Sequence, residues 1–376
     1  MHYPFPEIRT IDDVLPAIAG RDEFVVAERE FGTVINYMVA FPDTFAMTGP
    51  DDVMGALRRE CRGLIFNKAG KIMSRPYHKF FNINEKDETQ AHLIDMSQPH
   101  VVMDKLDGSM IRPIWVDGTT RLATKMGVTD ISKDAEKLIK YRQHAELREY
   151  LYNGLTPIFE YISPENKIVV NYTTPKLIMT AIRNNVTGEY IDINNSPVAD
   201  SFERVRVDSS IHDLDAFLRF KSGETGREGD IIRFADGHML KVKNEWYVRI
   251  HKTKDIVQVD RNIVELVVNE QLDDVLPMLD SADLERVHKV EENFWAAFRN
   301  TEDRIGALEM LARTVYGADK KRIALEMVPN LIHKGDGGFL FKLMDGHSLR
   351  DVLLEHCKKS IGTTPKYEAL MEWMRA

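Results

Sequence analysis

The chain has 376 residues, of which 43% are hydrophobic and 29% charged, so it is long enough for two globular domains of ordinary composition. Its two cysteines exclude a disulfide framework and fit a reducing compartment, and no apolar stretch is long enough to span a membrane. The net charge of −9 disfavours a general binder of nucleic acids, so any RNA contact must come from local basic patches.

Short apolar runs separated by turn residues predict a mixed α+β region from about residue 30 to about residue 250. Two helices are predicted within it, one at 132–152 with Ser132 as its N-cap and one at 208–220. The predicted strands are, in chain order, 111–116, 121–124, 158–162, 168–171, 178–182, 231–234 and 239–242.

From about residue 255 onward the apolar residues adopt the period of a helix. The recurrence at steps of three and four is seen in Leu284, Val287, Val290, Phe294 and Phe298. Further helices are predicted at 351–359 and 365–374. We therefore predict two domains, an α+β domain at 1–254 and an all-helical domain at 255–376.

The segment Lys105-Leu106-Asp107-Gly108 has the KxDG pattern by which covalent nucleotidyltransferases present a lysine nucleophile. Alone it is a weak signal, because a lysine two residues before Asp-Gly is more often a solvated side chain at a turn. Its meaning depends on whether other groups suited to phosphate chemistry follow it in the chain.

Two carboxylates follow the lysine. Glu160 lies inside an apolar predicted strand, where a carboxylate is costly unless it is paired or binds a ligand. Glu228-Gly229 precedes the strand predicted at 231–234, and a glycine there lets the backbone approach a ligand closely. Each has another interpretation: Glu160 could pair with a buried structural arginine, and Glu228-Gly229 could be an ordinary turn.

Three further lysines lie on predicted strands or at their ends. Lys241 and Lys243 alternate with apolar residues, and a period of two puts both ammonium groups on one face of a strand. Lys125 follows the strand predicted at 121–124. Singly, each is better explained as a solvated side chain. Along the chain these features follow one another as the KxDG segment, Lys125, Glu160, Glu228-Gly229 and the pair Lys241 and Lys243. Their combination favours one shared site over coincidence.

These residue types suit the attack of a lysine on the α-phosphorus of ATP. The attacking amine must be neutral, whereas a free lysine titrates near ~10.4, and neighbouring cations favour the neutral amine. The same cations would neutralise charge on the phosphates in the transition state. Hard carboxylates such as Glu228 and Glu160 suit Mg²⁺.

At this point the chain resembles the ATP-dependent RNA ligase 1 family, the tRNA-repair RNA ligases of T-even bacteriophages. The resemblance rests on the boxes above and on segments 60–66 (ECRGLIF), 75–85 (RPYHKFFNINE), 187–191 (TGEYI) and 246–248 (WYV). It extends from about Glu60 to about Tyr247, and the first fifty residues match poorly. It implies a nucleotidyltransferase domain of ATP-grasp-like antiparallel sheets with helices, followed by a helical domain linked to RNA or tRNA specificity.

The resemblance also implies a role for each matching residue. Lys105 would become a covalent lysyl-AMP, Glu160 would hold the ribose hydroxyls, and Lys241 would contact the α-phosphate and orient the leaving pyrophosphate. Glu228 would organise a metal ion, Asp273 or its neighbour Asp274 would bind a second metal or its waters, and Tyr247 is a weak candidate for metal binding. The remaining residues expected to contact ATP are Arg62 and Lys79 at the β- and γ-phosphates, and Phe81, Leu106, Asp107, Gly108, Lys125, Gly229 and Lys243.

The partners implied by the resemblance are ATP as substrate, Mg²⁺ with Mn²⁺ as an alternative, and RNA carrying 5′-phosphate and 3′-hydroxyl ends. The RNA would be a tRNA nicked in its anticodon loop, prepared by a polynucleotide kinase-phosphatase. The resemblance further implies a phage-encoded protein in the cytoplasm of the bacterial host, without membrane attachment. A monomer is expected by default.

Two other functions stay open. A non-catalytic RNA-binding protein could keep the ligase fold, because fold alone does not fix function. A DNA ligase or a capping guanylyltransferase would share the first domain. In those enzymes a β-barrel OB module follows it, whereas the helical tail and the segment at 75–85 favour an RNA ligase here.

Overall fold

The computed structural model describes residues 3–193, 201–317 and 319–375. The chain divides into two compact units, Met1–Val248 and Arg249–Ala376. The division predicted after residue 254 and the observed one both fall in a single helix, Glu245–Val257. Each unit has its own hydrophobic core.

The first unit begins with a four-stranded antiparallel sheet whose strands follow one another in chain order. Two short helices, α1 (Leu15–Ile18) and α2 (Val53–Glu60), accompany it. Ile35, Leu64 and Phe66 are fully buried beneath it. Its strands are β1 (Phe24–Arg29), β2 (Gly32–Tyr37), β3 (Arg62–Asn67) and β4 (Ile72–Ser74).

Two five-stranded sheets build the rest of the first unit, and both are antiparallel except for one parallel pair between β14 and β5. The second sheet has the order β11-β10-β9-β7-β8, from β7 (Ser109–Val116), β8 (Thr119–Ala123), β9 (Leu155–Ile162), β10 (Lys176–Asn184) and β11 (Tyr190–Ile191). The third sheet has the order β12-β6-β13-β14-β5, from β5 (Phe81–Asn82), β6 (His100–Lys105), β12 (Val207–Asp208), β13 (Gly229–Phe234) and β14 (Met239–Lys243).

Six of the seven predicted strands are confirmed as β7, β8, β9, β10, β13 and β14. The strand predicted at 168–171 is wrong, because this segment is irregular. Its backbone amides at Val169 and Val170 donate to the carboxylate of Asp107 at 2.8 and 2.7 Å instead of joining a sheet. The segment therefore holds Asp107 of the KxDG segment in place.

Both helix predictions in the first unit need correction. The helix predicted at 132–152 is two helices, α3 (Asp130–Glu136) and α4 (Tyr141–Tyr152), and Thr129 is the N-cap of α3. The chain leaves the helix between them so that Leu138 and Ile139 can pack against the core. The helix predicted at 208–220 begins only after the N-cap Asp213, as α5 (Leu214–Ser222), because Asp208 belongs to β12. Helix α6 is Glu245–Val257.

The second unit contains helices and no strand among its described residues. Its core is formed by apolar residues of five helices, among them Val264, Phe294, Phe298, Leu353 and Met374. Its helices are α7 (Asp260–Val268), α8 (Ser281–Tyr316), α9 (Lys320–Arg322), α10 (Asp336–Met344), α11 (Leu349–Ser360) and α12 (Thr364–Arg375). This confirms the predicted fold class, α+β followed by helices. No helix in the described parts of the chain has the length and apolar composition needed to cross a membrane.

Candidate active site

Strand β13 brings the lysine box, the second carboxylate and the lysine pair together. Gly229, at its start, is opposite Lys105 on β6 and opposite Lys243 on β14. Glu228 therefore lies between the two lysines. Its carboxylate is 2.6 Å from Nζ of Lys105 and 3.3 Å from Nζ of Lys243, and its side chain is 5% exposed.

Gly229 is required at this position by its backbone. Its φ is +145°, and a Cβ would lie 2.0 Å from the carbonyl oxygen of Val242 on β14. Any side chain would separate the two strands. Glycine thus keeps β13 close enough to β14 for Glu228 to reach both lysines.

The turn after Lys105 is fixed by Asp107, which is 1% exposed. One carboxylate oxygen accepts the two amides of the 168–171 segment, and the other accepts a hydrogen bond from the hydroxyl of Tyr247 at 2.7 Å. The amide of Asp107 donates to the hydroxyl of Tyr172 at 3.1 Å. Gly108 completes the turn against the backbone of Tyr161, where a Cβ would meet the carbonyl oxygen at 2.3 Å. Lys105 is therefore presented on a rigid turn.

Arg62 and Lys125 lie close to each other because Gly63 has no side chain. Gly63 has a φ of +98°, and a Cβ there would lie 2.7 Å from the carbonyl oxygen of Lys125. Lys125 sits at the tip of a tight turn closed by mutual backbone hydrogen bonds between Thr124 and Gly127, at 2.8 and 3.0 Å. The turn that follows β8 thus presents its lysine beside the first residue of β3.

Lys79 extends this group of cations. Its ammonium lies 5.3 Å from the ring centre of Tyr37 and 5.5 Å from that of Phe81, and Lys125 lies 5.9 Å from Tyr37. Burial raises the pKa of Tyr37, but the positive charges of Lys79 and Arg62 outweigh it, so the pKa lies below its ordinary value. No carboxylate among the described residues forms an ion pair with Arg62, Lys79 or Lys125. The local potential is therefore positive and suits an anion.

Lys241 is the most perturbed cation of the site. Burial, together with the positive charges of Arg62 and Lys79, lowers its pKa to about 7. Its ammonium lies 4.8 Å from the ring centre of Phe80, and it forms no ion pair within the described residues. A bound phosphate would supply the negative charge that it lacks.

Glu160 shows the complementary perturbation. It lies on β9, next to Met110 of β7 in the register. Burial raises its pKa to about 7, and the negative charge of Glu228 raises it as well, although Lys105 and Arg62 act in the opposite direction. A carboxyl group of this kind is suited to hydrogen bonds with neutral groups such as sugar hydroxyls.

These side chains surround a cavity of about 560 Å³. Of the residues predicted to contact ATP, the cavity is lined by Arg62, Lys105, Leu106, Gly108, Lys125, Glu160, Lys241 and Lys243. Four others are not among the lining residues, namely Lys79, Asp107, Glu228 and Gly229. Phe81 is 3% exposed on β5 and packs beneath Lys79 rather than lining the cavity.

The two remaining residues predicted to take part in metal binding are Asp273 and Tyr247. Asp273 belongs to the second unit, where it is exposed in the turn between α7 and α8. Tyr247 is buried, and its hydroxyl is bonded to Asp107. Burial and the negative charge of Glu228 raise the pKa of Tyr247 well above its usual range, which disfavours the phenolate. The metal roles of both residues stay predictions, and the geometry disfavours that of Tyr247.

No three metal-ligating side chains come together anywhere in the described residues. The site nevertheless offers two carboxylates, Glu160 and Glu228, that repel each other. Mg²⁺ is usually held by one or two carboxylates together with substrate phosphates and water. The residues thus fit a metal that arrives with the nucleotide rather than one held by the protein alone.

A second charged cluster, which includes residues from the segments 60–66 and 75–85, is fully closed. Glu60, Arg75 and Arg183 are all 0% exposed. Arg183 donates to both oxygens of Glu60 at 2.6 and 2.7 Å, Arg75 donates at 3.1 Å, and the Tyr3 hydroxyl at 2.8 Å. Burial alone would raise the pKa of Glu60, but the two arginines hold it well below its usual range. This cluster has no opening for a ligand.

Several residues that shape the site were not predicted from the sequence. Tyr37 lies in the poorly matching first fifty residues, and Tyr172 directly follows the segment 168–171 predicted as a strand. Arg227 donates to Asp104 at 2.8 Å and to Asp230 at 2.9 Å, which secures the strands that carry Lys105 and Glu228. The alternation of charges at 227–230 was the only signal for this network.

Comparison with known proteins identifies the family. A family model described as RNA ligase matches residues 60–247, half of the chain. A protein of Thermovibrio ammonificans, provisionally named an RNA ligase, is 31% identical over 282 residues, which cover 71% of this chain and 70% of that protein. This chain belongs to the RNA ligase family. The matched range contains every cavity-lining residue named above.

RNA ligase 1 of bacteriophage TS2126 is a further relative of this ligase, 25% identical over 287 residues that cover 72% of this chain and 69% of the phage protein. Among solved structures, the ligase resembles a protein of Aquifex aeolicus provisionally named an ATP-dependent DNA ligase. That similarity is distant, with a TM-score of 0.45 and 13% identity over 90% of this chain and 88% of the other.

Proposed function

We propose that this RNA ligase uses ATP to join 5′-phosphate and 3′-hydroxyl ends of RNA through a covalent lysyl-AMP on Lys105. The observation that carries the proposal is a group of cations without carboxylate partners next to a lysine on a rigid turn. Four cations, Arg62, Lys79, Lys125 and Lys241, form no ion pair within the described residues, while Lys105 lies 2.6 Å from Glu228. A concentration of positive charge without counter-charges attracts an anion, and a triphosphate supplies that anion.

In the first step, the neutral amine of Lys105 attacks the α-phosphorus of ATP. A phosphorus–nitrogen bond forms, the bond to the β-phosphate oxygen breaks, and pyrophosphate leaves. Glu228 is the acceptor within reach of the proton that Lys105 must lose. Lys241 stabilises charge at the α-phosphate, and Arg62 and Lys79 bind the departing phosphates. Glu160 holds the ribose hydroxyls.

In the second step, a 5′-phosphate oxygen of RNA attacks the lysyl-AMP, and Lys105 departs as the amine. In the third step, the 3′-hydroxyl of the other RNA end attacks the adenylylated phosphate, and AMP leaves. Each step exchanges one bond at one phosphorus, so the site needs positioning and charge more than covalent chemistry. Lys243 and Lys125 would contact the phosphates in these steps.

Glu228 would hold a divalent cation, Mg²⁺ or Mn²⁺. The cation would neutralise negative charge on the phosphate oxygens. Glu228 already pairs with two lysines in the ligand-free protein. A metal ion would replace one or both of these ammonium groups as the partner of the carboxylate. Asp273 remains a candidate for a contact through water.

The finer parts of the proposal rest on the family resemblance. They are a tRNA nicked in the anticodon loop as the natural substrate, a kinase-phosphatase that prepares its ends, and an RNA-selecting role for the second unit. A phage-encoded monomer working in the bacterial cytoplasm belongs with them. Ligation assays on intact, nicked and single-stranded RNA would separate these substrates.

The deciding experiment is incubation with α-³²P-labelled ATP and MgCl₂, followed by a denaturing gel. We expect acid-labile label on the wild-type protein and none on Lys105→Ala. Lys133→Ala is the matched control, because Lys133 is an exposed lysine paired with Asp130 at 2.9 Å, outside the cavity. Absence of label on wild-type protein freed of bound AMP would overturn the proposal and favour a binding protein with the ligase fold. Label that persists on Lys105→Ala would mean that another lysine is the nucleophile.

A further inference from the structure

Beyond its cations, the cavity has an apolar part. Its lining there consists of Tyr77, Phe80, Met110, Thr180 and Ile231, and its polar side-chain atoms are two hydroxyl oxygens. Phosphates bind where the cations are, whereas a flat purine base fits an apolar surface. The inference below rests on the proposed function, because it takes ATP as the occupant of the cavity.

The hydroxyl of Tyr77 is buried without a hydrogen-bond partner among the described residues, although the residue is only 6% exposed. The Thr180 hydroxyl lies beside it and lowers its pKa, but the two oxygens do not meet hydrogen-bond geometry, and Thr180 donates its own proton to the carbonyl oxygen of Ile158 at 3.1 Å. The Tyr77 ring is held by stacking on Tyr190, with centroids 5.7 Å apart. A buried hydroxyl without a partner is costly and uncommon in native proteins. At the wall of a cavity, it indicates that a ligand atom supplies the partner.

Glu160 relates this hydroxyl to the rest of the nucleotide. Its carboxylate is close enough to Lys105 and Arg62 for them to lower its pKa, and close enough to Tyr77 to raise the pKa of that hydroxyl. A ribose bound at Glu160 with its phosphates toward the cations leaves the apolar part of the cavity, which includes Tyr77, for the base. The edge of adenine farthest from the ribose is that of the six-membered ring, which carries N1 and the 6-amino group.

We propose that Tyr77 determines nucleotide specificity by a hydrogen bond between its hydroxyl and the N1 or 6-amino edge of adenine. The hydroxyl can donate to N1 or accept from the amino group. A purine that lacks the bonded atom leaves the hydroxyl as unsatisfied as in the free protein. Loss of one such bond should weaken ATP binding about tenfold, or ~1.4 kcal/mol.

The test is a double-mutant cycle between the protein and the nucleotide. Dissociation constants are measured by calorimetry with MgCl₂ on Lys105→Ala and on Lys105→Ala/Tyr77→Phe, so that no covalent adduct consumes the ligand. The ligands are ATP, 7-deaza-ATP, 1-deaza-ATP and purine riboside triphosphate, which lacks the 6-amino group. We expect Tyr77→Phe to raise Kd about tenfold for ATP and 7-deaza-ATP, and not at all for the analogue that lacks the bonded atom. An equal ratio for all four ligands, including a ratio of one, overturns the inference.

Tyr190→Phe is the matched control. Tyr190 is a partly buried tyrosine of the same aromatic group, but its hydroxyl is bonded to Nδ1 of His78 at 3.0 Å. Its removal should lower the melting temperature and leave the ratios between ligands unchanged. Tyr77→Phe should melt no lower than its parent, because its hydroxyl has no partner to lose. A lower melting temperature together with a uniform loss of affinity would assign Tyr77 a structural role instead.

The outcome separates this inference from the proposed function. A wild-type protein that binds ATP without becoming labelled refutes the ligase chemistry, while the ratios still test Tyr77. A protein that becomes labelled but shows equal ratios refutes only the role of Tyr77. Absence of ATP binding by both wild-type protein and Lys105→Ala refutes both.

Discussion

Two charged clusters of the first unit share the sequence segments 60–66 and 75–85. Glu60 and Arg75 belong to the closed cluster, whereas Arg62 lines the cavity and Lys79 belongs to the cations beside it. In the closed cluster the Glu60 carboxylate is shared by Arg75 and Arg183, which also donate to backbone carbonyl oxygens. In the cavity, cations outnumber their acceptors.

The difference shows that burial does not separate structural charges from functional ones in this protein. Glu60 and Glu228 are both buried and both paired with two cations. They differ in what surrounds the pairs: the partners of Glu60 are fully buried and saturated, while Lys105 and Lys243 are 20% and 31% exposed. Saturation of hydrogen bonds marks a structural cluster, and its absence marks a site for a ligand.

The largest expected effect on stability is that of Glu60→Gln. It leaves Arg75 and Arg183 buried without a counter-charge, which should lower the free energy of unfolding by about 3–5 kcal/mol. Urea unfolding monitored by tryptophan fluorescence and circular dichroism measures it. A loss under about 1 kcal/mol would mean that the closed cluster contributes little to the stability of the fold. The contrast between a structural cluster and a ligand site would then no longer hold.

Glu228→Gln is the paired test at the other cluster. We expect the adenylylation rate to fall about 100-fold or more, because the group that contacts Lys105 and binds metal loses its charge. The free energy of unfolding should change by less than about 1 kcal/mol, because both lysines can reach water. Single-turnover labelling and urea unfolding of the same preparation give the two quantities. A large loss of stability would place Glu228 with Glu60 as a structural residue.

The pKa of Glu160 gives a pH-dependent prediction of intermediate size. Burial raises this pKa from 4.5 to about 7, so the folded state keeps a proton that the unfolded state loses. The group therefore stabilises the fold fully below pH ~4.5, and this contribution is lost as pH rises through 7, by about 1–3 kcal/mol.

We expect Glu160→Gln to remove this decline, because glutamine does not ionise. Urea unfolding of both proteins at steps between pH 5 and pH 7.5 measures it. The range stops there because Lys241, whose pKa burial lowers to about 7, stabilises the fold increasingly above that pH. Parallel curves for the two proteins would show that Glu160 is ionised in the folded state well below pH 7.

The smallest expected effect concerns exposed ion pairs of the second unit. Lys359 pairs with Glu355 at 2.5 Å, and both side chains are more than half exposed. Lys359→Ala should change the free energy of unfolding by less than about 0.5 kcal/mol. Because Glu355 already neutralises this lysine, RNA affinity in a filter-binding assay should change by less than about threefold. A larger loss of RNA binding would mean that the two adjacent lysines, Lys358 and Lys359, belong to an RNA-binding surface.

Much of the fold could be predicted from the sequence, because strands 158–162 and 178–182 and the helical tail have clear apolar periods. The segment 168–171 has the composition of a strand, but its amides are bound by Asp107, and a contact 62 residues away along the chain leaves no periodic signal. Likewise, the helix predicted at 132–152 breaks because Leu138 and Ile139 pack inward.

The charged residues of the site could be proposed from the sequence because their spacing on strands is regular. Their division into two clusters could not. Glu60 and Arg62 are two residues apart, and only the packing of the sheets decides that one faces a sealed interior and the other a cavity. Tyr77 stands in the strongest motif of the chain, yet its unpaired hydroxyl is visible only in three dimensions.

The order of the first sheet bears on where this protein can be shortened. A fragment beginning at Glu60 would keep the whole range that matches the family but lose β1 and β2, and with them the neighbour of β3. Leu64, Ile65 and Phe66 on β3 are fully buried in the intact protein. In the fragment they would form an unprotected apolar edge, which is a template for aggregation. The residues with the least recognisable sequence therefore act as the edge protection of the catalytic unit.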